Sequence, residues 1–244
     1  MFHSFFCNFS LFMIYYSKFF RGDSVKIIVN DKKIDLSNDQ LDSMYLGEGL
    51  EGVVYQYDDY AFKIHNNWSH KVCLDEDTAT KLSSISTSRI VLPKGNIYDE
   101  NHKFIGYYMD YITSNPLSHI SNMRMKYFIN EVAEIERDID VLSDAYFDID
   151  DFHRNNLMYD GEIHIIDPGS YYYDKSKSTY FLKYINRLSF NKFLVEDVLS
   201  QGISLKRRKI LNDKIPCEEI LSDYFLSEAD SRDTVKSFVK KIIS

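Results

Sequence analysis

The segment Tyr45–His65 reads YLGEGLEGVVYQYDDYAFKIH. Its glycines have the spacing G-x-G-x-x-G and are Gly47, Gly49 and Gly52. The residues that follow predict a strand at Val53–Tyr57, a turn at Asp58–Asp59 and a second strand at Ala61–His65. Dinucleotide folds and P-loops continue from their glycines into a helix, so this pattern predicts a glycine-bearing hairpin instead. Because glycine lacks a Cβ, its backbone can approach phosphate oxygens closely, and we expect the hairpin to cover a phosphate ligand.

The second strand of this hairpin places a cation beside a small residue. Alternate residues of a strand face opposite sides of the sheet. Ala61 and Lys63 therefore share one face, while Phe62 and Ile64 share the other. A small side chain next to a lysine suits an adenine ring next to its phosphates.

The glycines, Val54 and Ala61-Phe62-Lys63 together resemble the protein kinase family, whose signature is G-x-G-x-x-G-x-V followed by V-A-I-K. The corresponding residues here are G-E-G-L-E-G-V-V and Y-A-F-K. The resemblance implies an α+β, two-lobed protein kinase-like fold, with an N-terminal antiparallel sheet carrying one helix and a mainly helical C-terminal lobe. It also implies that ATP is bound by Gly47, Glu48, Gly49, Gly52, Val54, Ala61 and Lys63.

A second stretch, Asp148–Ser170, reads DIDDFHRNNLMYDGEIHIIDPGS. It contains a D-x-x-x-x-N pattern, a short hairpin predicted over 157–166, and then Asp167-Pro168-Gly169. These features are similar to the catalytic loop and the metal-binding aspartate of kinases. The resemblance implies that Asn156 and Asp167 bind Mg²⁺, and that Asp151 orients the acceptor hydroxyl or takes its proton.

The register of the catalytic-loop pattern has an alternative. Asp150 with Asn155 has the same spacing as Asp151 with Asn156. The second register is favoured because an apolar pair, Leu157-Met158, directly follows the asparagine, as in the family. A purely structural interpretation also stands, in which the neighbouring aspartates only cap a loop.

Two further parts of the kinase pattern lie between these stretches. The segment Trp68–Ile85 has apolar residues at roughly helical spacing and contains Glu76. In kinases a glutamate on this helix pairs with the strand lysine, so the resemblance implies a Glu76–Lys63 ion pair; a solvated acidic face is the alternative. The strand before residue 113 is similar to the kinase strand that enters the interlobe hinge, which implies adenine contacts from Met109, Asp110 and Ile112.

The remaining apolar patterns predict the organisation of the chain. Hairpins are predicted at Ser24–Asp35 and across 89–112. A break at Ser114-Asn115-Pro116 precedes a five-turn amphipathic helix, whose apolar residues recur at spacings of three and four from Met125 to Leu142. Further helical patterns cover 180–199 and 234–243. The predicted parts are an N-terminal apolar extension (1–23), a nucleotide-binding N-lobe (24–113) and a C-lobe (114–244).

The composition is that of an ordered globular protein. The chain has 244 residues, of which 44% are hydrophobic and 15% aromatic, enough for a sizeable core. A net charge of −8 argues against general nucleic-acid binding, which relies on a basic footprint. The three cysteines (Cys7, Cys73 and Cys217) are widely spaced, which predicts neither a disulfide framework nor a zinc site. A reducing cytoplasm is therefore the expected compartment.

The first residues, MFHSFFCNFSLFMIYYSKFF, form a separate apolar segment. Its apolar part is about a dozen residues, interrupted by Asn8 and Ser10, against the roughly 20 that span a bilayer. It lacks the basic start and small-residue cleavage site of a signal peptide. An extra packed segment, or a true start at Met13, is favoured over a membrane-surface anchor.

Three departures from the kinase pattern bear on regulation and substrate. Ile149-Asp150-Asp151 stands in place of H-R-D, Asp167-Pro168-Gly169 in place of D-F-G, and A-P-E is absent. The missing arginine and the fixed φ of Pro168 argue against a phosphorylation-regulated loop. The C-terminal half is therefore more similar to small bacterial or atypical kinases and to the aminoglycoside phosphotransferase branch, whose loop often carries a histidine where His153 stands. This similarity makes His153 a candidate catalytic residue.

The expected function is transfer of the γ-phosphate of Mg-ATP to a hydroxyl group. A Ser/Thr side chain of a protein is ranked slightly ahead of a small molecule such as an aminoglycoside or metabolite. A pseudokinase that binds nucleotide without transfer is ranked last, because all the charged groups that the chemistry needs are present. The expected partners are ATP and a hydroxyl-bearing acceptor, with neither nucleic acid nor a transmembrane span.

Overall fold

The structure, a computed structural model of the chain, describes residues 24–66, 73–113, 118–149 and 151–244. The fold is α+β, with an antiparallel sheet in the N-terminal half and most of the helices in the C-terminal half. Within the described ranges, the sheet comprises β1 (Ser24–Val29), β2 (Lys32–Ser37), β3 (Tyr45–Glu48), β4 (Gly52–Tyr57), β5 (Tyr60–His65), β6 (Gly95–Asp99) and β7 (Phe104–Asp110). Two short pairs follow: β8 (Phe147–Asp148) with β11 (Tyr172–Tyr173), and β9 (Leu157–Tyr159) with β10 (Ile163–Ile165).

The large sheet is assembled from the hairpins that the sequence predicts. Its order is β2-β1-β6-β7-β5-β4-β3, and every neighbouring pair is antiparallel. The turn between β1 and β2 has two left-handed residues, Asn30 (φ 49°) and Asp31 (φ 61°), and Asp58 (φ 51°) serves the turn between β4 and β5. Asn and Asp tolerate this region better than other residues with a side chain, so these polar pairs fix the positions of the turns.

The described helices include the long amphipathic helix that the sequence predicts. They are α1 (Asn38–Met44), α2 (Glu76–Ser83), α3 (Ser118–Asn122), α4 (Met125–Asp144), α5 (Thr179–Phe193), α6 (Leu205–Lys214), α7 (Leu221–Glu228) and α8 (Val235–Ile242). A π-helical turn at Leu194–Leu199 extends α5. The helical patterns over 125–142, 180–199 and 234–243 are confirmed, and the apolar positions of α4 are buried. Helices α1, α3, α6 and α7 were not predicted.

The two faces of the sheet belong to different cores. Phe62 and Ile64 pack with the apolar side chains of β1, β2 and α1. Ala61, Tyr107 and Met109 belong to the larger core that the sheet shares with α2, α4 and the helices that follow. Lys63 alternates with Phe62 and Ile64, so it lies on the face toward the C-terminal half, as the strand periodicity predicts.

Three acidic side chains of α4 are buried and tie other segments to this helix. The Asp138 carboxylate accepts the backbone N–H groups of residues 88, 89 and 90, at 3.0, 2.5 and 2.9 Å. Glu131 accepts Arg89 Nε at 2.7 Å and the Ile163 N–H at 2.9 Å. Glu136 accepts the first two backbone N–H groups of α7, at 2.8 and 3.3 Å. Each carboxylate thereby fills hydrogen bonds that the buried chain would otherwise lack.

The segment that Asp138 holds also positions β10. Ile90 and Ile165 form an isolated parallel bridge. The Ile165 N–H donates to the Arg89 carbonyl at 2.9 Å, and the Val91 N–H donates to the Ile165 carbonyl at 2.8 Å. Helix α4 therefore positions the end of β10 through residues 88–91, and with it the nearby Asp167.

Some predictions fall outside the described residues. These are the N-terminal extension (1–23), the break at 114–116, Asp150 of the alternative register, and the start of the helix predicted over Trp68–Ile85. The described part of that helix is α2, which begins after Asp75, whose carboxylate caps it by accepting the Thr78 N–H at 2.9 Å. No helix in the described ranges is long and apolar enough to cross a membrane.

Candidate functional site

Lys63 is the buried cation of the site. It lies in the middle of β5, and its side chain is 4% exposed. Its ammonium donates hydrogen bonds to the carboxylates of Glu51 and Asp167. Burial by itself lowers the pKa of Lys63, but the carboxylates of Asp167 and Glu51 outweigh burial and raise the pKa above its ordinary value. At neutral pH the site therefore holds a charged ammonium group.

Tyr107 on β7 lies beside Lys63, to which it is paired in register. Its hydroxyl donates to Asp167 Oδ1 at 3.4 Å, and Lys63 Nζ lies 6.0 Å from the centroid of its ring. The residue is fully buried, and burial raises the pKa of its phenol well above the usual value, so the phenol remains a neutral donor. Sequence reasoning missed Tyr107, although its place two residues before Met109 puts both on one face.

The three glycines of the turn before β4 have different surroundings. The turn is closed by the Gly49 N–H, which donates to the Gly52 carbonyl at 2.9 Å. A Cβ at Gly52 would overlap the Ile64 carbonyl, whereas a Cβ at Gly47 or Gly49 would meet nothing within 4 Å. The fold therefore requires glycine only at position 52, and Gly47 and Gly49 leave open backbone toward which a ligand can approach.

Glu51, also in this turn, reaches from the sheet to the segment after β10. Its carboxylate bonds to Lys63, and its side chain is 16% exposed. The same carboxylate lies against Gly169, where a Cβ would overlap it. A side chain at position 169 would therefore have to displace the end of the Glu51 side chain. Sequence reasoning missed Glu51. The signal was available, because a negatively charged residue is unexpected in a glycine pattern predicted to lie against phosphate anions.

Asp151, Asn156 and His153 form a second cluster. The Asn156 side-chain amide donates to the Asp151 carboxylate at 3.1 Å and to the Asp151 carbonyl at 3.2 Å. His153 Nδ1 accepts the Asn155 N–H at 3.2 Å, which leaves Nε2, 3.3 Å from Asp151 Oδ1, as the protonated nitrogen. Each oxygen of Asp151 thus has one side-chain donor, and the carboxylate remains about one-third exposed.

The two clusters are joined through the backbone. The Ile166 N–H donates to the Asn156 carbonyl at 2.8 Å, which places Asn156 beside the residue that precedes Asp167. Asp167 itself has a left-handed backbone (φ 64°, ψ 73°), and Pro168 begins a short 3₁₀ turn directly after it. A residue other than glycine in this region is uncommon and is maintained by its surroundings. The bond to Lys63 is one such constraint.

Three of the residues predicted to line the nucleotide, Val54, Ala61 and Met109, lie on the same side of the sheet as Lys63. Ala61 pairs with Met109, both are buried, and the partly buried Val54 packs against the same core. Asp110 ends β7, where its carboxylate is 2.7 Å from Lys94 Nζ. Ile112 follows in a partly exposed segment, and Glu48 ends β3 in an exposed position.

The structure does not form the predicted pair between Lys63 and Glu76. Glu76 begins α2 in an exposed position, and its carboxylate accepts a hydrogen bond from the Tyr98 hydroxyl at 2.9 Å. Besides Asp167, the carboxylate that bonds to Lys63 is that of Glu51. The helix presents Glu76 to its solvent side because Ala79 and Leu82 face the core.

The residues present suit magnesium carried by a nucleotide better than a metal held by protein alone. Among the described residues, no group of three or more His, Cys, Asp or Glu side chains is arranged to hold a metal ion. Asp167 and Asn156 offer two hard oxygen donors on adjacent segments. Mg²⁺ is commonly held by one or two carboxylates together with phosphate oxygens and water, so this donor set fits.

Comparison of the sequence with models of known protein families gives no match. Comparison with curated proteins gives no match either. A functional interpretation of this chain therefore depends on the geometry of its described residues.

Proposed function

We propose that the protein is an ATP- and Mg²⁺-dependent phosphotransferase with a two-lobed, protein kinase-like fold, which transfers the γ-phosphate of ATP to a hydroxyl group. The observation that carries the proposal is the bond between Lys63 and Asp167, which lie 104 residues apart in the sequence. It brings a cation that suits phosphate next to an oxygen ligand that suits Mg²⁺. Both belong to segments that the sequence resemblance had selected independently.

The charged residues would divide the work of phosphoryl transfer. Lys63 would neutralise charge on the phosphates, and Asn156 and Asp167 would hold Mg²⁺. The metal supplies charge stabilisation at the phosphate oxygens. Asp151 would orient the acceptor hydroxyl or accept its proton, and its carboxylate is already aligned by Asn156 and His153.

The remaining residues would bind the nucleotide. The open backbone at Gly47 and Gly49 supports a role in covering the phosphates. The apolar surface of Val54, Ala61 and Met109 suits an adenine ring, with backbone groups near Asp110 and Ile112 available for its polar edge.

The acceptor we propose first is a Ser/Thr hydroxyl of a protein. A small-molecule hydroxyl is the second candidate, supported by the contact between His153 Nε2 and Asp151 at 3.3 Å. An imidazole beside the base would add a second polar group for orienting a compact substrate.

The proposal is tested by incubating the purified protein with γ-labelled ATP and Mg²⁺, together with a lysate or a panel of aminoglycosides and sugars. We expect transfer to one acceptor class, and we expect Asp151→Asn to reduce transfer by about 10²-fold or more, as for loss of a general base. The matched control is Asp144→Asn, which changes an exposed aspartate at the end of α4 that pairs with Lys183.

Two results would count against the proposal. A wild-type protein that Mg-ATP does not stabilise in a melting experiment would remove the nucleotide site. Stabilisation by Mg-ATP without transfer to any acceptor would retain the site and favour a pseudokinase.

A further inference from the structure

We propose that Glu51 is the carboxylate that positions Lys63 toward the nucleotide, the part that the sequence pattern assigns to Glu76. The inference depends on the proposed function, because it concerns the same nucleotide site. Glu51 would act through Lys63 and is a positioning residue, without contact to the reacting atoms.

The backbone of Glu51 is anchored, so its side chain is delivered to Lys63 from a fixed point. Its carbonyl accepts the Asn66 N–H at 2.8 Å and the Cys73 Sγ–H at 3.2 Å. The Asn66 side-chain amide also donates to the Gly49 and Leu50 carbonyls, at 3.4 and 3.3 Å. These bonds tie the turn to the end of β5, the strand that carries Lys63.

The carboxylate of Glu51 also lies against the backbone of Gly169, in the space that a side chain at this position would occupy. Burying a carboxylate is unfavourable unless a charge or hydrogen-bond donors compensate. The Lys63 ammonium provides that compensation, so the two groups fix each other's position.

Asp167 also bonds to Lys63, but it is the proposed Mg²⁺ ligand. If Asp167 binds Mg²⁺, its carboxylate cannot be dedicated to orienting Lys63. The Glu51 backbone is bonded to Asn66, directly after the strand of Lys63, so Glu51 is the partner whose position is fixed relative to the lysine.

Glu76 is engaged elsewhere and on the surface. The Tyr98 hydroxyl that donates to it also accepts from Asn96 Nδ2 at 3.2 Å, and the same Nδ2 lies 2.8 Å from Thr80 Oγ1. This network joins α2 to β6 on their exposed side. The network stabilises the packing of α2 against β6, and it holds the Glu76 carboxylate at the surface.

The assignment has a mechanistic consequence. Because Glu51 directly precedes β4 and Lys63 lies on β5, their alignment depends on the β4–β5 hairpin alone. Movement of α2 would then leave the ion pair intact. Activity would be independent of helix position.

The test measures the dissociation constant of Mg-ATP by calorimetry, and separately kcat and KM, for Glu51→Gln and Glu76→Gln. Gln keeps the size and one acceptor of Glu51 but removes its charge. We expect Glu51→Gln to raise the dissociation constant about tenfold and to lower kcat by about 10²-fold, since misplacement of a catalytic group has effects of this size. Glu76→Gln is expected to change both by less than about twofold.

A double-mutant cycle separates positioning from a general structural role. Lys63→Met removes the ammonium, and in that background Glu51→Gln is expected to have no further effect on nucleotide binding. A melting temperature within a few degrees of wild type verifies folding. If Glu51→Gln does not fold, Glu51→Asp replaces it and is expected to weaken binding less than loss of the charge would.

The outcomes are distinguishable. If Glu51→Gln tightens Mg-ATP binding or leaves it unchanged, or if Glu76→Gln has the larger effect, the Glu51 assignment is overturned while the proposed function stands. If the wild-type protein neither binds Mg-ATP nor transfers phosphate, both are overturned.

Discussion

The chain contains two groups of inward-facing carboxylates whose surroundings differ. The first group lies along α4 and consists of Glu131, Glu136 and Asp138, each of which accepts at least one backbone N–H. The second group lies at the candidate site and consists of Glu51, Asp151 and Asp167, each of which accepts a hydrogen bond from the side chain of Lys63 or Asn156. The first group is nearly inaccessible, whereas Asp151 and Asp167 are about one-third exposed.

The difference indicates what each group does. A carboxylate whose oxygens are filled by backbone N–H groups replaces missing secondary-structure bonds, so its loss leaves buried donors unpaired. A carboxylate held by lysine, asparagine or histidine side chains keeps exposed lone pairs for a ligand. Carboxylates of the first kind determine stability, and carboxylates of the second kind determine binding and chemistry.

The largest effect is expected from Asp138→Ala. The change strips the acceptor from three backbone N–H groups, of which that of Ile90 is buried and those of residues 88 and 89 are part-buried, and an unpaired buried donor costs about 1–3 kcal/mol. We expect the free energy of unfolding in urea to fall by about 3 kcal/mol or more. The control is Asp144→Ala on the same helix, which is expected to lose less than about 1 kcal/mol. Equal losses in the two variants would contradict the distinction between the groups.

A smaller, pH-dependent effect is expected at Glu136. Burial raises the pKa of this carboxyl above its ordinary 4.5, although hydrogen bonds from Ser222 and Leu221 oppose the shift. Its stabilising contribution is therefore complete below pH 4.5 and is lost as the pH rises through the raised pKa. Glu136→Gln mimics the neutral acid, because its oxygen can accept the two α7 N–H groups while its amide contacts Ser222.

We therefore expect wild type and Glu136→Gln to have similar stability at pH 4.5 and the variant to become the more stable of the two toward neutral pH. Urea unfolding of both proteins across this interval is the measurement. A difference that does not depend on pH would show that the carboxyl is ionised to the same extent in the folded and unfolded chains.

The smallest effect on stability is expected from Asp151→Asn. The carboxylate is half-buried, its donors are side chains, and the amide retains one acceptor. We expect the free energy of unfolding to change by less than about 0.5 kcal/mol, as for substitutions away from structural networks. A large loss of stability would place Asp151 with the carboxylates of α4 and would explain any loss of activity by unfolding.

The parts of the fold with regular periodicity could be predicted from the sequence. The alternation around Lys63, the polar turns and the apolar spacing of α4 all depend on local patterns, and each is confirmed. That Lys63 and Asp167 belong to one site could also be predicted, because both lie in spaced motifs, but the direct bond between them was not predicted. Short helices such as α6 lack a strong pattern, since their residues are mostly exposed and polar.

The bond between Lys63 and Glu51 could not be predicted from such patterns. A glutamate on a predicted helix faces solvent or the site depending on how that helix packs, which sequence spacing does not determine. Glu76 lies on the outer side because Ala79 and Leu82 occupy the inner one. Glu51 lies in a turn, where side-chain direction follows no period, and its role depends on contacts with Gly169 more than a hundred residues away.

The absent side chain at Gly169 has an evolutionary consequence. The end of the Glu51 side chain lies where a Cβ at position 169 would be, so a side chain at position 169 would have to displace it. We therefore expect related chains to keep glycine at position 169 more often where position 51 is glutamate than where a smaller residue replaces it.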